Sequence, residues 1–199
     1  MGTSAWEFAD VYNRFHESLN RYLERLVGRN EAEDLAQEVF LKINRGLQDF
    51  KGQSSLSTWV YRIATNAAVD RMKSRSYREA REAVALEEIS GAPEHRCAEE
   101  ASLSAEREAI RSEMTRCIQE FVGRLPADYR AVILLSEMKE LRNRQIAAIL
   151  GISLDAVKIR LHRARARLQA EFEAGCDFYR DEAGTLACDR KNEKPKELE

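Results

Sequence analysis

The four cysteines, Cys97, Cys117, Cys176 and Cys188, form no Cys-x-x-Cys pair, so neither a zinc finger nor a thioredoxin-like redox site is signalled. Long apolar runs are missing too. Ala131–Leu135, five residues long, is matched by Ile146–Leu150 but not exceeded in its half of the chain, and the acidic N-terminus carries no secretory signal stretch. A cytoplasmic protein with no membrane insertion and reduced thiols is expected. No Gly-rich phosphate loop, paired carboxylates or Ser/His/Asp set stands in a convincing context, so no catalytic residue, metal ligand or cofactor is assigned and no enzyme is read here. Alternating β-patterns are absent before residue 170, which argues against a resolvase-like recombinase with a nucleophilic Ser.

Net charge is also small: 32 Lys and Arg against 34 Asp and Glu give −2. The charge is segregated along the chain. Basic residues crowd Arg62 to Arg81 and Lys158 to Arg167, whereas Glu87 to Glu113 holds eight Glu against Arg96, Arg107 and Arg111. Phosphate neutralisation supplies most non-specific DNA affinity, so two basic surfaces could touch DNA while acidic parts face elsewhere.

What is present is helical periodicity. Phe8, Val11, Tyr12, Phe15, Leu19, Tyr22, Leu23 and Leu26 recur every three or four residues until Gly28. A second helix from near Glu31 to Gly46 places Leu35, Ala36, Val39, Phe40 and Ile43 on one face. Lys51 to Ser57 reads as a loop. A third helix, Thr58 to Arg75, is expected to bury Trp59, Val60, Ile63, Ala64, Ala67 and Val69 or Met72. Helices at Met114–Val122 and Asp128–Met138 follow a stretch that is linker-like and helical at most toward its end.

Residues 143–168, NRQIAAILGISLDAVKIRLHRARARL, read as two helices joined at Gly151, with Ala147 and Val157 where the helices cross. Ser153 is a candidate N-cap, and Val157, Leu161, Ala164 and Leu168 face inward. Ser153, Asp155, Lys158, Arg160, Arg163, Arg165 and Arg167 are left on the outer face of the second helix, the expected DNA-reading element of a helix-turn-helix. In the N-terminal half, polar residues beside positive charge suit an unpaired strand: Asn66, Asp70, Arg71 and Lys73 are the candidates, with Trp59 placed in the core.

The fold expected is all-α: two small helical domains at 1–83 and 114–172, an acidic linker at 84–113 and a Cys-containing tail at 173–199. The tail favours a short hairpin that would pair Cys176 with Cys188 and Phe178 with Leu186. Cys176 and Cys188, joined by His95 and Cys97, would have the donors of a zinc or redox site, but thiols packing a hairpin are the preferred reading.

Asp34-Leu-Ala-Gln-Glu-Val-Phe-Leu-Lys42, Phe50-Lys-Gly-Gln-Ser-Ser, Thr58-Trp-Val-Tyr-Arg-Ile-Ala-Thr-Asn66 and Leu125-Pro-Ala-Asp-Tyr-Arg130, in this order before the helix-turn-helix, resemble the bacterial extracytoplasmic-function (ECF) sigma factors of the sigma-70 family. The resemblance implies promoter-specific transcription initiation in a stress or envelope response. It implies docking of Asp34, Gln37 and Glu38 on core RNA polymerase, through its beta and beta-prime subunits, and capture of a proximal promoter element by Gln53, Ser54, Ser55, Ser57, Asn66 and Arg71. The second helix of the helix-turn-helix would read the distal element, and an anti-sigma factor would be a further partner. The competing reading is a helix-turn-helix repressor or activator that binds DNA without polymerase.

Overall fold

The computed structural model describes residues 6–74, 103–139, 141–180, 184 and 186–191, and side chains are not described for 103–113, 186, 187 and 190. Most of the expected linker, His95, Cys97, Arg75 and the charged tail from residue 192 lie outside the described residues. Helix α1, Phe8–Val27, ends at Gly28, whose φ of 92° suits glycine and whose N–H is donated to the Glu24 carbonyl. Helix α2, Arg29–Leu47, follows without a loop.

Helix α3 spans Leu56–Lys73 and starts two residues earlier than the loop composition suggested. Ser55 caps it: its Oγ accepts the Thr58 N–H at 3.1 Å and lies 2.8 Å from Thr58 Oγ1. That cap also lets Leu56 reach the core. One aromatic expectation is corrected. Trp59 is only half-buried, lying over Gly46 and Phe50, whereas Tyr61 is buried, edge-on to Phe15 and Tyr22. Ile63 and Val69 are likewise half-buried, because Tyr61, Ala64, Thr65, Ala68 and Met72 supply the face that meets α1 and α2.

Helix α4 covers Leu103–Arg124, beginning well before Met114, and α5 covers Ala127–Glu137. Ala131, Val132, Ile133, Leu134 and Leu135 are all buried, so α5 is covered on every side, by α1, α3, α6 and α7. Helices α6, Asn143–Leu150, and α7, Leu154–Gly175, complete the helical part. One apolar core runs from Val11 in α1 through α5 to Ala164 in α7, with no break between the two halves of the chain. Polar contacts cross the same boundary. Lys139 donates to the Ser18 carbonyl at 3.1 Å and sits 5.1 Å over the Tyr61 ring, and Lys73 pairs with Asp128 at 3.0 Å.

The tail is a hairpin of β1, Cys176–Arg180, and β2, Leu186–Arg190. Its register corrects the expected one by two residues: Cys176 lies opposite Arg190 and Phe178 opposite Cys188. A shift of two keeps every side chain on its expected face, so the alternation pattern could not distinguish the registers. Packing decides between them. Phe178 stacks edge-on against Phe172, and the Lys191 N–H closes on the Gly175 carbonyl at 3.1 Å.

Tyr22, fully buried, donates to Thr65 Oγ1 at 2.9 Å, since the Thr65 hydroxyl is itself given to the Tyr61 carbonyl at 2.6 Å. Burial, more than any neighbour, raises its pKa far above the ordinary value of 10. Above about pH 10 the unfolded chain therefore gives up a proton that the folded chain keeps, and stability falls as pH rises. Tyr22→Phe should remove up to about 1.4 kcal/mol per pH unit of that alkaline loss, read from urea midpoints measured between neutral and strongly alkaline pH.

Candidate nucleic-acid and partner interface

The turn of the helix-turn-helix is built from Gly151, Ile152 and Ser153. Gly151 is left-handed at φ 65°, and its N–H and that of Ile152 both reach the Ala147 carbonyl. Ser153 caps α7 by accepting the Ala156 N–H at 3.1 Å, and Gln145 accepts the Arg142 N–H at 2.9 Å at the start of α6. Ile146, Ile149, Val157, Leu161 and Ala164 bury the inner faces of the pair, while Ala147 and Leu168 are half-buried.

The outer face of α7 carries the expected basic set. Lys158, Arg163, Arg165 and Arg167 are exposed, and Arg160 is half-buried. Lys158 pairs with Asp155 at 3.1 Å and Arg165 with Glu137 at 2.7 Å. Both pairs are exposed and so cost little to exchange for phosphate. Ile159 lies between the basic residues and is 51% exposed. It was missed in the sequence, although it stands outside the Val157, Leu161, Ala164 stripe.

In the N-terminal half the structure separates the candidates into groups. Asp34, Gln37 and Glu38 are all exposed on α2, on the side away from Leu35, Val39 and Ile43. Leu41 continues that stripe and is 56% exposed, a large apolar side chain among charges that the periodicity could have flagged. Gln53 and Ser55 are exposed and Ser54 and Ser57 half-buried in the approach to α3, with Ser55 occupied as the helix cap. Asn66 and Asp70 are exposed on α3. Arg71 reaches back to α2, donating to Glu31 at 2.8 Å and to Glu38 at 2.6 Å. One guanidinium thereby joins a candidate DNA residue to a candidate polymerase residue, beside a groove lined by Glu38, Lys42, Ala67, Asp70, Arg71 and Ser74.

Residues 11–78 match the family described as Sigma-70 region 2, and residues 115–168 match Sigma-70, region 4. The chain is 32% identical to the ECF RNA polymerase sigma factor SigW of Bacillus subtilis over 168 residues, covering 82% of this chain and 88% of SigW. The chain belongs to the ECF RNA polymerase sigma factors. A similar relative is the ECF RNA polymerase sigma-E factor of Haemophilus influenzae, 29% identical over 82% of this sigma factor and 86% of its own length. Among solved structures, CnrH in complex with the cytosolic domain of CnrY is similar at a TM-score of 0.58 and 25% identity, over 84% of this sigma factor and 88% of that chain. The sigma factor RpoE of Bartonella quintana, at a TM-score of 0.56 and 23% identity over 83% of this chain and 96% of that one, shares the fold. Among the described residues of this sigma factor, no helix is long and apolar enough to cross a membrane.

Three thiols also meet at the far end of α7. Cys117 and Cys176 are buried and Cys188 is half-buried, all as free thiols. Burial, then the neighbouring Cys117, pushes the Cys176 thiol up to about 12, and burial also raises Cys188. His95 and Cys97, the other donors of the less-favoured zinc or redox reading, lie outside the described residues, and Cys117, which that reading did not include, is the thiol that meets this pair.

Proposed function

We propose that this chain works in the cytoplasm as a non-catalytic specificity subunit of RNA polymerase, seating the polymerase on promoters through two separate DNA-reading surfaces. The observation that carries the reading is the succession of region 2 and region 4 on one chain, the latter presenting a capped helix-turn-helix with a basic outer face. In this reading Asp34, Gln37, Glu38 and Leu41 dock on the polymerase. The approach to α3, with Gln53, Ser54 and Ser57, and the exposed Asn66 and Asp70 hold the proximal element as single strand, with Arg71 and Lys73 supplying charge once their ion pairs exchange. Lys158, Arg160 and Arg163 enter the major groove of the distal element, where Arg and Lys can pair with guanine and Ile159 can meet a thymine methyl. Ser153, Asp155, Arg165 and Arg167 lie along the same helix and hold the backbone or orient its readers.

A chain with a net charge of −2 binds DNA weakly by itself and gains its affinity from the polymerase. The relative CnrH was captured with the cytosolic domain of CnrY, and RpoE of Bartonella quintana, which shares the fold, with the anti-sigma factor NepR; an anti-sigma partner is proposed for this chain on that basis. Core RNA polymerase with the full chain should initiate from a cognate promoter, and the core enzyme alone should not. Specific promoter binding by the isolated chain, with no association with the core enzyme, would instead establish the polymerase-independent regulator. Within the distal contact, Arg160→Ala should cost about 1–3 kcal/mol at a single base position, measured as promoter-variant affinities of the assembled enzyme. Equal losses on every variant would assign Arg160 to phosphate.

A further inference from the structure

Cys117 in α4, Cys176 at the end of α7 and Cys188 in β2 are far apart in sequence but converge on one point. Their Sγ atoms all lie within 4.8 Å of one another, and those of Cys117 and Cys176 are 3.6 Å apart. Sulfurs bound to a common ion at about 2.3 Å stand roughly 3.8–4.0 Å from each other. The three thiols are therefore close to the spacing of a ligand set.

We propose that Cys117, Cys176 and Cys188 form a three-sulfur site for a thiophilic closed-shell cation, Zn2+ or Cu+, which fastens the C-terminal hairpin and the end of α7 to α4. The donor set selects the ion class. Among the described residues no carboxylate or imidazole joins the three sulfurs, so hard oxygen-seeking ions are disfavoured and soft thiolate-seeking ones favoured. The position also suits a cation, because Cys176 caps the C-terminus of α7, where the helix dipole is negative.

Local packing holds the three elements in place around the sulfurs. Gly175 lies so close to Phe121 that a Cβ there would come within 2.6 Å of the ring, and Phe172 and Leu168 complete an apolar wall. Binding needs no change of oxidation state: each thiol that becomes a ligand loses its proton to solvent and its sulfur lone pair enters the metal bond. Because α7 carries the proposed reading face, the ion would fix the far end of that helix.

The test uses the full-length chain, fully reduced and stripped of metal under anaerobic conditions, titrated with Zn2+ alone and with Cu+ alone against a chromophoric competitor. One ion per chain is expected for at least one of the two, with a rise in melting temperature. Cys117→Ser, Cys176→Ser and Cys188→Ser should each weaken binding at least about tenfold, a loss that second-shell changes alone can reach, and abolish the rise. Cys97→Ser should bind as the parent does. Cys188 is the least buried of the three, so Cys188→Ser, with its helical circular dichroism intact, decides the matter if a deeper variant fails to fold. Tighter Zn2+ or tighter Cu+ binding identifies the ion, and either supports the site. The proposal is overturned if the reduced chain binds neither ion stoichiometrically, if Cys188→Ser binds undiminished, or if Cys97→Ser loses the ion. No polymerase enters this measurement, so its failure would leave the transcriptional role untouched.

Discussion

Replacing Arg130 with methionine is expected to destabilise the fold by about 3 kcal/mol, roughly a hundredfold or more in the folding equilibrium. Arg130 is buried on α5, and its guanidinium serves three backbone carbonyls: Leu26 at 2.5 Å, Leu125 at 3.1 Å, and Gly123. The Leu26 carbonyl ends α1, and the other two end α4, so a single charge satisfies acceptors at the ends of two helices. Methionine would fill much of the volume and remove every donor, leaving buried carbonyls unmet. Lysine would keep the charge but cannot reach three divergent acceptors with the planar fork. Urea unfolding followed by circular dichroism measures the loss. A change under 1 kcal/mol would mean that water replaces the guanidinium.

Leu41→Asp should leave that stability within about 0.5 kcal/mol, because the side chain is mostly exposed. It should nevertheless weaken association with core RNA polymerase by about 2 kcal/mol or more, roughly thirtyfold. Leu41 is the apolar member of a stripe whose other exposed residues, Asp34, Gln37 and Glu38, are polar or charged. Such a residue contributes to binding through desolvation, and a carboxylate in its place would have to be buried unpaired. Fluorescence anisotropy of labelled chain against core enzyme reads the change. Unaltered affinity would move the docking surface off this face of α2.

Much of this was legible in the residues. The stop at Gly28, the turn at Gly151 and the cap at Ser153 follow from local chemistry, and the structure keeps all three. Features decided by distant neighbours were less legible. Tyr61 and Trp59 are both aromatic residues on one helix, and which is covered depends on where α1 and α2 lie against α3. The hairpin slipped by two residues because alternation is unchanged by an even shift, leaving the choice to Phe172 and Gly175. Cys117 joined the thiol group through the crossing of α4 and α7, which no spacing within the sequence records. Leu41 and Ile159 were visible as apolar residues off the buried stripe, a signal that is read by looking for exceptions to the period.

The unbroken core through α5 has a consequence for how defects in this sigma factor should be interpreted. Cooperative unfolding is expected to take both halves of the chain together, in one transition. A lesion inside the helix-turn-helix, at Val157 for example, would then lower the population of intact α2, the proposed docking helix, as well. Loss of polymerase association in such a variant would report on global melting, and only substitutions on exposed side chains can assign a contact to one half.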